Sequence, residues 1–221
     1  RPDLEAFAVE HKLKIGTIAD LIHYRVLHEN TVQQLDTRTI DTDHGEFVLH
    51  TYRDRINGDI HFALVCGELD ADTPTLVRVQ IGSAMRDLIA AKIPGGSGWN
   101  LHRSLARVRA EGAGVVVLLN GNESAADLVY SVESIPGTLG ASTPSTSQIH
   151  KAFLTVGVGS RILRALGLRR LRLMSGPAKY SAISGFELEV VEYVTPELPQ
   201  TKALTTHTAS SGLLAARDGT V

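Results

Sequence analysis

Histidine, cysteine, serine and the basic side chains are where chemistry would start in this chain. Its nine histidines form no His-Glu-x-x-His pair, and no His/Asp/Glu cluster has the spacing of a ligand set, so the residues alone give metal catalysis little support. Cys66 is the single cysteine, which excludes an internal disulfide and any zinc site built from two or more thiolates of the chain. Ser97 sits in Gly95-Gly96-Ser97-Gly98 without the G-x-S-x-G frame of a nucleophile elbow. That loop, with Lys92 before it and a helix from Leu101 behind it, can cradle a phosphate, because N–H groups at a helix start attract anions. The plainer reading is a flexible turn capped by Asn100 with Trp99 as a staple, since the Lys-Ser/Thr ending of a P-loop is missing. Arg169, Arg170 and Arg172 either dock a phosphate or acidic surface or form a solvated strand end. Lys179, after Ser175-Gly176-Pro177, either faces a phosphate or is an exposed helix lysine.

The elements that would position these residues follow from periodicity. Leu4, Phe7 and Ala8 fall at helical spacing after Pro2, Lys12 to Ile18 alternates as a strand, and Thr17 with Asp20 leads a second helix at Leu21. Between Leu27 and Asp43 the pattern turns polar, as in a connector or an edge strand. From Gly45 the period becomes two, and Asn57-Gly58 supplies the turn to a second strand, His61 to Cys66. Thr75 to Gln80 is a strand, Ser83 to Ala91 a helix, and Leu101, Leu105 and Val108 the apolar stripe of another. Val115 to Leu119 reads as a strand covered on both faces, and Ala125 to Val132 as a helix. Phe153 to Leu166 is helical, although Gly157 and Gly159 argue against one uninterrupted rod. Leu171 to Met174, Ala178 to Ile183 and Leu188 to Tyr193 read as strand, short helix, strand. Helices alternating with apolar strands predict a layered α/β fold with a mixed sheet. The Pro/Thr/Ala/Ser-rich end from Thr195 suggests a mobile tail.

Composition narrows the partners. A chain of 221 residues with 43% hydrophobic content can bury a full core, and 22 basic against 24 acidic residues leave a formal charge of −2. The field that draws proteins to nucleic acid or anionic membranes is missing, and no apolar run reaches the ~20 residues of a membrane helix. The expected location is the cytoplasm. Arg1 in place of Met suggests a processed product or a fragment.

Two stretches carry a family resemblance. Arg1-Pro2-Asp3-Leu4, then His11-Lys12-Leu13-Lys14-Ile15-Gly16-Thr17-Ile18-Ala19-Asp20-Leu21-Ile22 and Tyr24-Arg25, resemble the closing stretch of 3,4-dihydroxy-2-butanone-4-phosphate synthase. Residues 44–195 resemble GTP cyclohydrolase II through Gly45-Glu46-Phe47, His61-Phe62-Ala63-Leu64-Val65, Val77-Arg78-Val79, Glu111-Gly112-Ala113-Gly114-Val115, Gly157-Val158-Gly159-Ser160-Arg161-Ile162-Leu163 and Pro177-Ala178-Lys179. The resemblance implies four segments: a synthase remnant of helix–strand–helix form at 1–32, a connector at 33–43, a cyclohydrolase-II-like α/β domain at 44–195, and a tail at 196–221. It also implies a bifunctional-type riboflavin biosynthesis parent that makes the four-carbon precursor from ribulose 5-phosphate with magnesium or manganese.

Against that family's pattern the chain departs at its chemistry. The three zinc cysteines fall on Ser83, Gly95 and Ser97, whose side chains supply no thiolate, so no metal is expected there. The family's base and nucleophile fall on Ala152 and Leu154, and its His-x-Gln-Glu-Gly-Arg becomes Leu119-Asn120-Gly121-Asn122-Glu123-Ser124. No catalytic residue is expected. Arg78, Asn100 and Lys179 remain as residues for a nucleotide or phosphate ligand. The expectation is a catalytically degenerate cyclohydrolase-II-like domain, structural or regulatory, associating as a homodimer and with an upstream synthase domain. Two alternatives stay open: a sensor for a nucleotide, flavin or sugar phosphate, and a cyclohydrolase of altered mechanism.

Overall fold

The β-branched and alternating runs become seven strands. They are β1 (Val32–Thr42), β2 (Gly45–Asp54), β3 (Ile60–Cys66), β4 (Thr75–Ile81), β5 (Gly114–Leu119), β6 (Arg170–Leu173) and β7 (Glu189–Tyr193). The helices are α1 (Pro2–Glu10), a π-helix (Ala84–Leu88), α2 (Leu101–Glu111), α3 (Ala125–Glu133) and α4 (Thr146–Ala165). This computed structural model describes residues 2–16, 24, 29, 31–92, 97–133, 135, 146–176 and 186–196.

The strands form one mixed sheet in the order β1-β2-β3-β5-β4-β6-β7. β1, β2, β3 and β5 pair antiparallel in turn, whereas β4 is parallel to both β5 and β6, and β6 to β7. Gly58, at φ +79°, donates its N–H to the Asp54 carbonyl and makes the turn between β2 and β3. One sheet face packs Tyr52, Ala63, Val77 and Val117 against Val158, Ile162 and Leu163 of α4. The other packs Phe47, Leu64 and Val116 against Leu105 and Val108 of α2, with Trp99 beside them. β5 is buried on both faces, which explains its unbroken apolar run. The result is a seven-stranded α/β sheet flanked by helices.

Several expectations need correction. Of the two readings for the polar stretch, connector or edge strand, the edge strand is what forms: the segment 33–43, assigned as a connector between domains, is strand β1 up to Thr42, paired with β2. Residues 13–16 carry no regular structure where a strand was expected: Leu13 and Ile15 are exposed, and among the described residues no strand pairs with them. The expected helix over Ser83 to Ala91 contracts to the five-residue π-helix. α4 runs through Gly157 and Gly159 as one helix of 20 residues. Gly159 serves close approach there: a Cβ on it would meet Val79 Cγ1 at 2.5 Å, so the bare backbone lets α4 settle onto β4. The second N-terminal helix, the short helix at Ala178 to Ile183 and the tail beyond residue 196 lie outside the described residues.

Candidate functional site

A cavity of about 350 Å³ opens between β4, α4 and β6, lined among others by Arg78, Gln80, Arg86, Ser97, Ser160 and Ser175. Strand β4 brings Arg78 and Gln80 to it, the π-helix brings Arg86, and the start of the segment into α2 brings Ser97. Arg78 is buried, and its guanidinium donates to the Gln80 side-chain oxygen at 3.1 Å and to the Met174 carbonyl at 2.6 Å. Gln80 in turn donates through Nε2 to Asp87 Oδ1 at 3.1 Å.

Asp87 is the hub. Its carboxylate accepts from the N–H groups of Ser83 at 3.0 Å and Leu101 at 2.9 Å, and from the Arg86 guanidinium at 2.7 and 3.1 Å. Burial alone would raise its pKa, but the hydrogen bond and charge of Arg86, with the two backbone donors, outweigh that and hold it below the ordinary value. A polar relay therefore runs from Met174 through Arg78, Gln80 and Asp87 to the first residue of α2. Asp87 was not anticipated. Its signal is a lone carboxylate beside Arg86 in an otherwise apolar stretch, which sequence alone leaves looking like a wet helix face.

Of the three residues proposed to hold a nucleotide or phosphate, the structure places two. Arg78 lines the cavity. Asn100 is the N-cap of α2, its side-chain oxygen accepting from the Arg103 N–H at 2.8 Å, and it is not among the lining residues. Lys179 lies outside the described residues. Trp99 is buried and donates to the Val194 carbonyl at 3.0 Å, which anchors the residues that lead directly into α2, and Gly95 and Gly96 of the loop lie outside the described residues. The arginines of β6 are met by carboxylates: Arg172 bonds Glu111 and, at 2.6 Å, Glu192, while Arg170 lies 3.5 Å from Glu189. Arg172 holds the Glu111 carboxyl below its ordinary range.

Zinc, which the family resemblance implies, does not fit the donor set. Ser83 Oγ lies 3.2 Å from Glu123 Oε1, whose other oxygen accepts from the Ala84 N–H at 2.8 Å, so both groups serve the start of the π-helix. Gly95 lies outside the described residues, and Ser97 offers a neutral hydroxyl. Among the described residues no three His, Cys, Asp or Glu side chains gather in a metal-holding group. Cys66 is buried on β3 with its sulfur 3.5 Å from Arg109. The described lining residues include neither carboxylate nor imidazole, so what they offer a ligand is the positive charge of Arg78 and Arg86, hydrogen bonding and apolar contact.

The chain matches the GTP cyclohydrolase II family over residues 33–195. It is 47% identical over 197 residues to a protein of Pseudomonas aeruginosa named 3,4-dihydroxy-2-butanone 4-phosphate synthase, covering 89% of this chain and 52% of that protein. It is 36% identical over 205 residues to the riboflavin biosynthesis protein RibBA of Aquifex aeolicus, covering 87% of this chain and 49% of the relative. Among solved structures it is similar to RibBX, a two-domain 3,4-dihydroxy-2-butanone 4-phosphate synthase from A. baumannii, at 41% identity and a TM-score of 0.58, covering 89% of this chain and 50% of that one. The chain thus spans about half the length of the curated relatives it matches. These relatives overturn two expectations together. Two Pseudomonas relatives, aligned over 89% and 88% of the chain, and the A. baumannii structure carry the name of the synthase, which contradicts both the expected C-terminal part of a bifunctional-type protein and the expected catalytically degenerate, structural or regulatory role. The match over most of its length, on a sheet built as described, shows that the chain belongs to the GTP cyclohydrolase II family.

Proposed function

We propose that this chain is part of a 3,4-dihydroxy-2-butanone 4-phosphate synthase of riboflavin biosynthesis, acting in the cytoplasm on ribulose 5-phosphate. The observation that carries the reading is the 47% identity, over 89% of the chain, to a protein bearing that name. Residues 1–32 lie outside the family match and resemble the closing stretch of the synthase, so on this reading they join the two halves of the protein. The reaction takes five carbons to four, so a one-carbon fragment leaves with the phosphorylated product. Magnesium or manganese would polarise the sugar's oxygens. On this reading the ligands for that ion lie in the part of the relatives' length that this chain does not span.

The test is an assay of the full-length polypeptide with ribulose 5-phosphate and magnesium, run beside GTP with zinc. Conversion of the sugar phosphate to the four-carbon product with GTP untouched is the expected result. Opening of GTP without sugar turnover overturns the reading.

A further inference from the structure

Helix α3 is inside out. Its side toward the fold carries Asp127, only 9% exposed, whose carboxylate accepts from the Ser124 N–H at 3.1 Å and from the Ser124 hydroxyl at 2.8 Å. Its outward side carries Leu128, Val129 and Val132, at the i, i+1, i+4 spacing of a single stripe, with Val129 at 56% exposure. A surface helix normally turns its apolar stripe to the core. Leu88 and Ile89, at the end of the π-helix that packs beside α3, are exposed as well, at 84% and 65%. Five large apolar side chains therefore face outward from two adjoining elements, and none of them carries charge.

We infer that this stripe is the docking surface for the other half of the chain's own polypeptide, and that it meets an apolar face on the domain in the part of the two-domain relatives that this sequence does not span. The inference rests on the two-half reading given above. The matched relatives are about twice as long as the chain, so a tethered domain of similar size is at hand. Tethering matters because one nine-residue helix and a helix end offer less than the ~800 Å² per partner of a standard free interface. A linked domain at millimolar effective concentration is held by such a patch. A second copy of the chain has no such advantage.

The experiment places single cysteines in the full-length polypeptide, Val129→Cys and separately Leu88→Cys, with Asp41→Cys on exposed β1 as control. Maleimide labelling is read at each site by peptide mass spectrometry. Both test sites should label at least about 10-fold more slowly than the control, and protection should survive about 100-fold dilution. Labelling at the control rate overturns the proposal. Protection that vanishes on dilution also overturns it, in favour of a second copy. If ribulose 5-phosphate is turned over while the sites label freely, docking alone has failed; if the sites are protected without turnover, the activity reading has failed and docking stands.

Discussion

The Asp87 carboxylate accepts the backbone N–H of Leu101 at 2.9 Å, tying the π-helix to the first turn of α2. The bond has two effects. It satisfies a donor that the helix start leaves without an intrahelical partner, and it places a negative charge at the positive end of the helix dipole. Through Gln80 and Arg78 the same carboxylate fixes one wall of the cavity.

Asp87→Ala should destabilise the fold by about 3 kcal/mol, because it strands the Arg86 guanidinium and two backbone donors in a part-buried site. Asp87→Asn, which keeps the shape and loses the charge, should cost less. Urea unfolding of the two variants checks the order.

Gly159→Ala sets two effects against each other. Alanine favours the helix by about 1 kcal/mol, but the new methyl must enter space held by Val79, at a cost of about 1–3 kcal/mol. Net destabilisation is expected. Adding Val79→Ala should make Gly159→Ala stabilising relative to Val79→Ala alone, and a double-mutant cycle reads that reversal of sign.

His61 is fully buried on β3, and its Nδ1 accepts the Asn120 N–H at 3.1 Å. Burial holds its pKa below 6.5, with Asp54 and Asp59 pulling partly the other way. The unfolded chain therefore takes up a proton first as acid is added. Stability from this group is present above about pH 6.5 and is lost as pH falls through the folded pKa. His61→Phe should flatten that slope in urea titrations below pH 7. At the alkaline end the opposite sign holds: burial pushes the Tyr52 hydroxyl up to about 12, so its contribution stands below pH 10 and fades as pH rises through 12.

Asn100→Ala removes the side-chain acceptor for the Arg103 N–H at the head of α2. A loss of about 1 kcal/mol is expected, with Asn100→Asp close to neutral, and thermal unfolding distinguishes the two.

Local rules made much of the scaffold legible. The Asn57-Gly58 turn, the double-sided burial of Val115 to Leu119 and the Asn100 cap all depend on neighbours in sequence, and each forms as periodicity and cap chemistry require. What escaped depends on partners far along the chain. Leu13 and Ile15 alternate like a strand, but among the described residues no strand pairs with them. Gly159 looked like a break in α4 because its helical neighbours are visible in sequence and Val79 is not. The Asp87 hub collects donors from β4, the π-helix and α2, so no single window contains it. At the site, Arg78, singled out by the family resemblance as a ligand residue, lines the cavity, and Asn100, singled out in the same way, caps α2. The functional reading erred for a different reason: Ser83, Gly95 and Ser97 speak to the ligands of one reaction and carry no information about another activity of the same polypeptide.

The position of β4 has a consequence for synthesis of the chain. β1, β2 and β3 are neighbours in both sequence and sheet, so this meander can close as it leaves the ribosome. β4 sits between β5 and β6, and its nascent segment emerges before either partner exists. From the emergence of Ile81 until that of Leu119 this mostly apolar strand has both ladders open, and the ladder that β6 fills stays open until Leu173, which exposes β4 to other molecules and makes it a segment in need of a chaperone while translation proceeds.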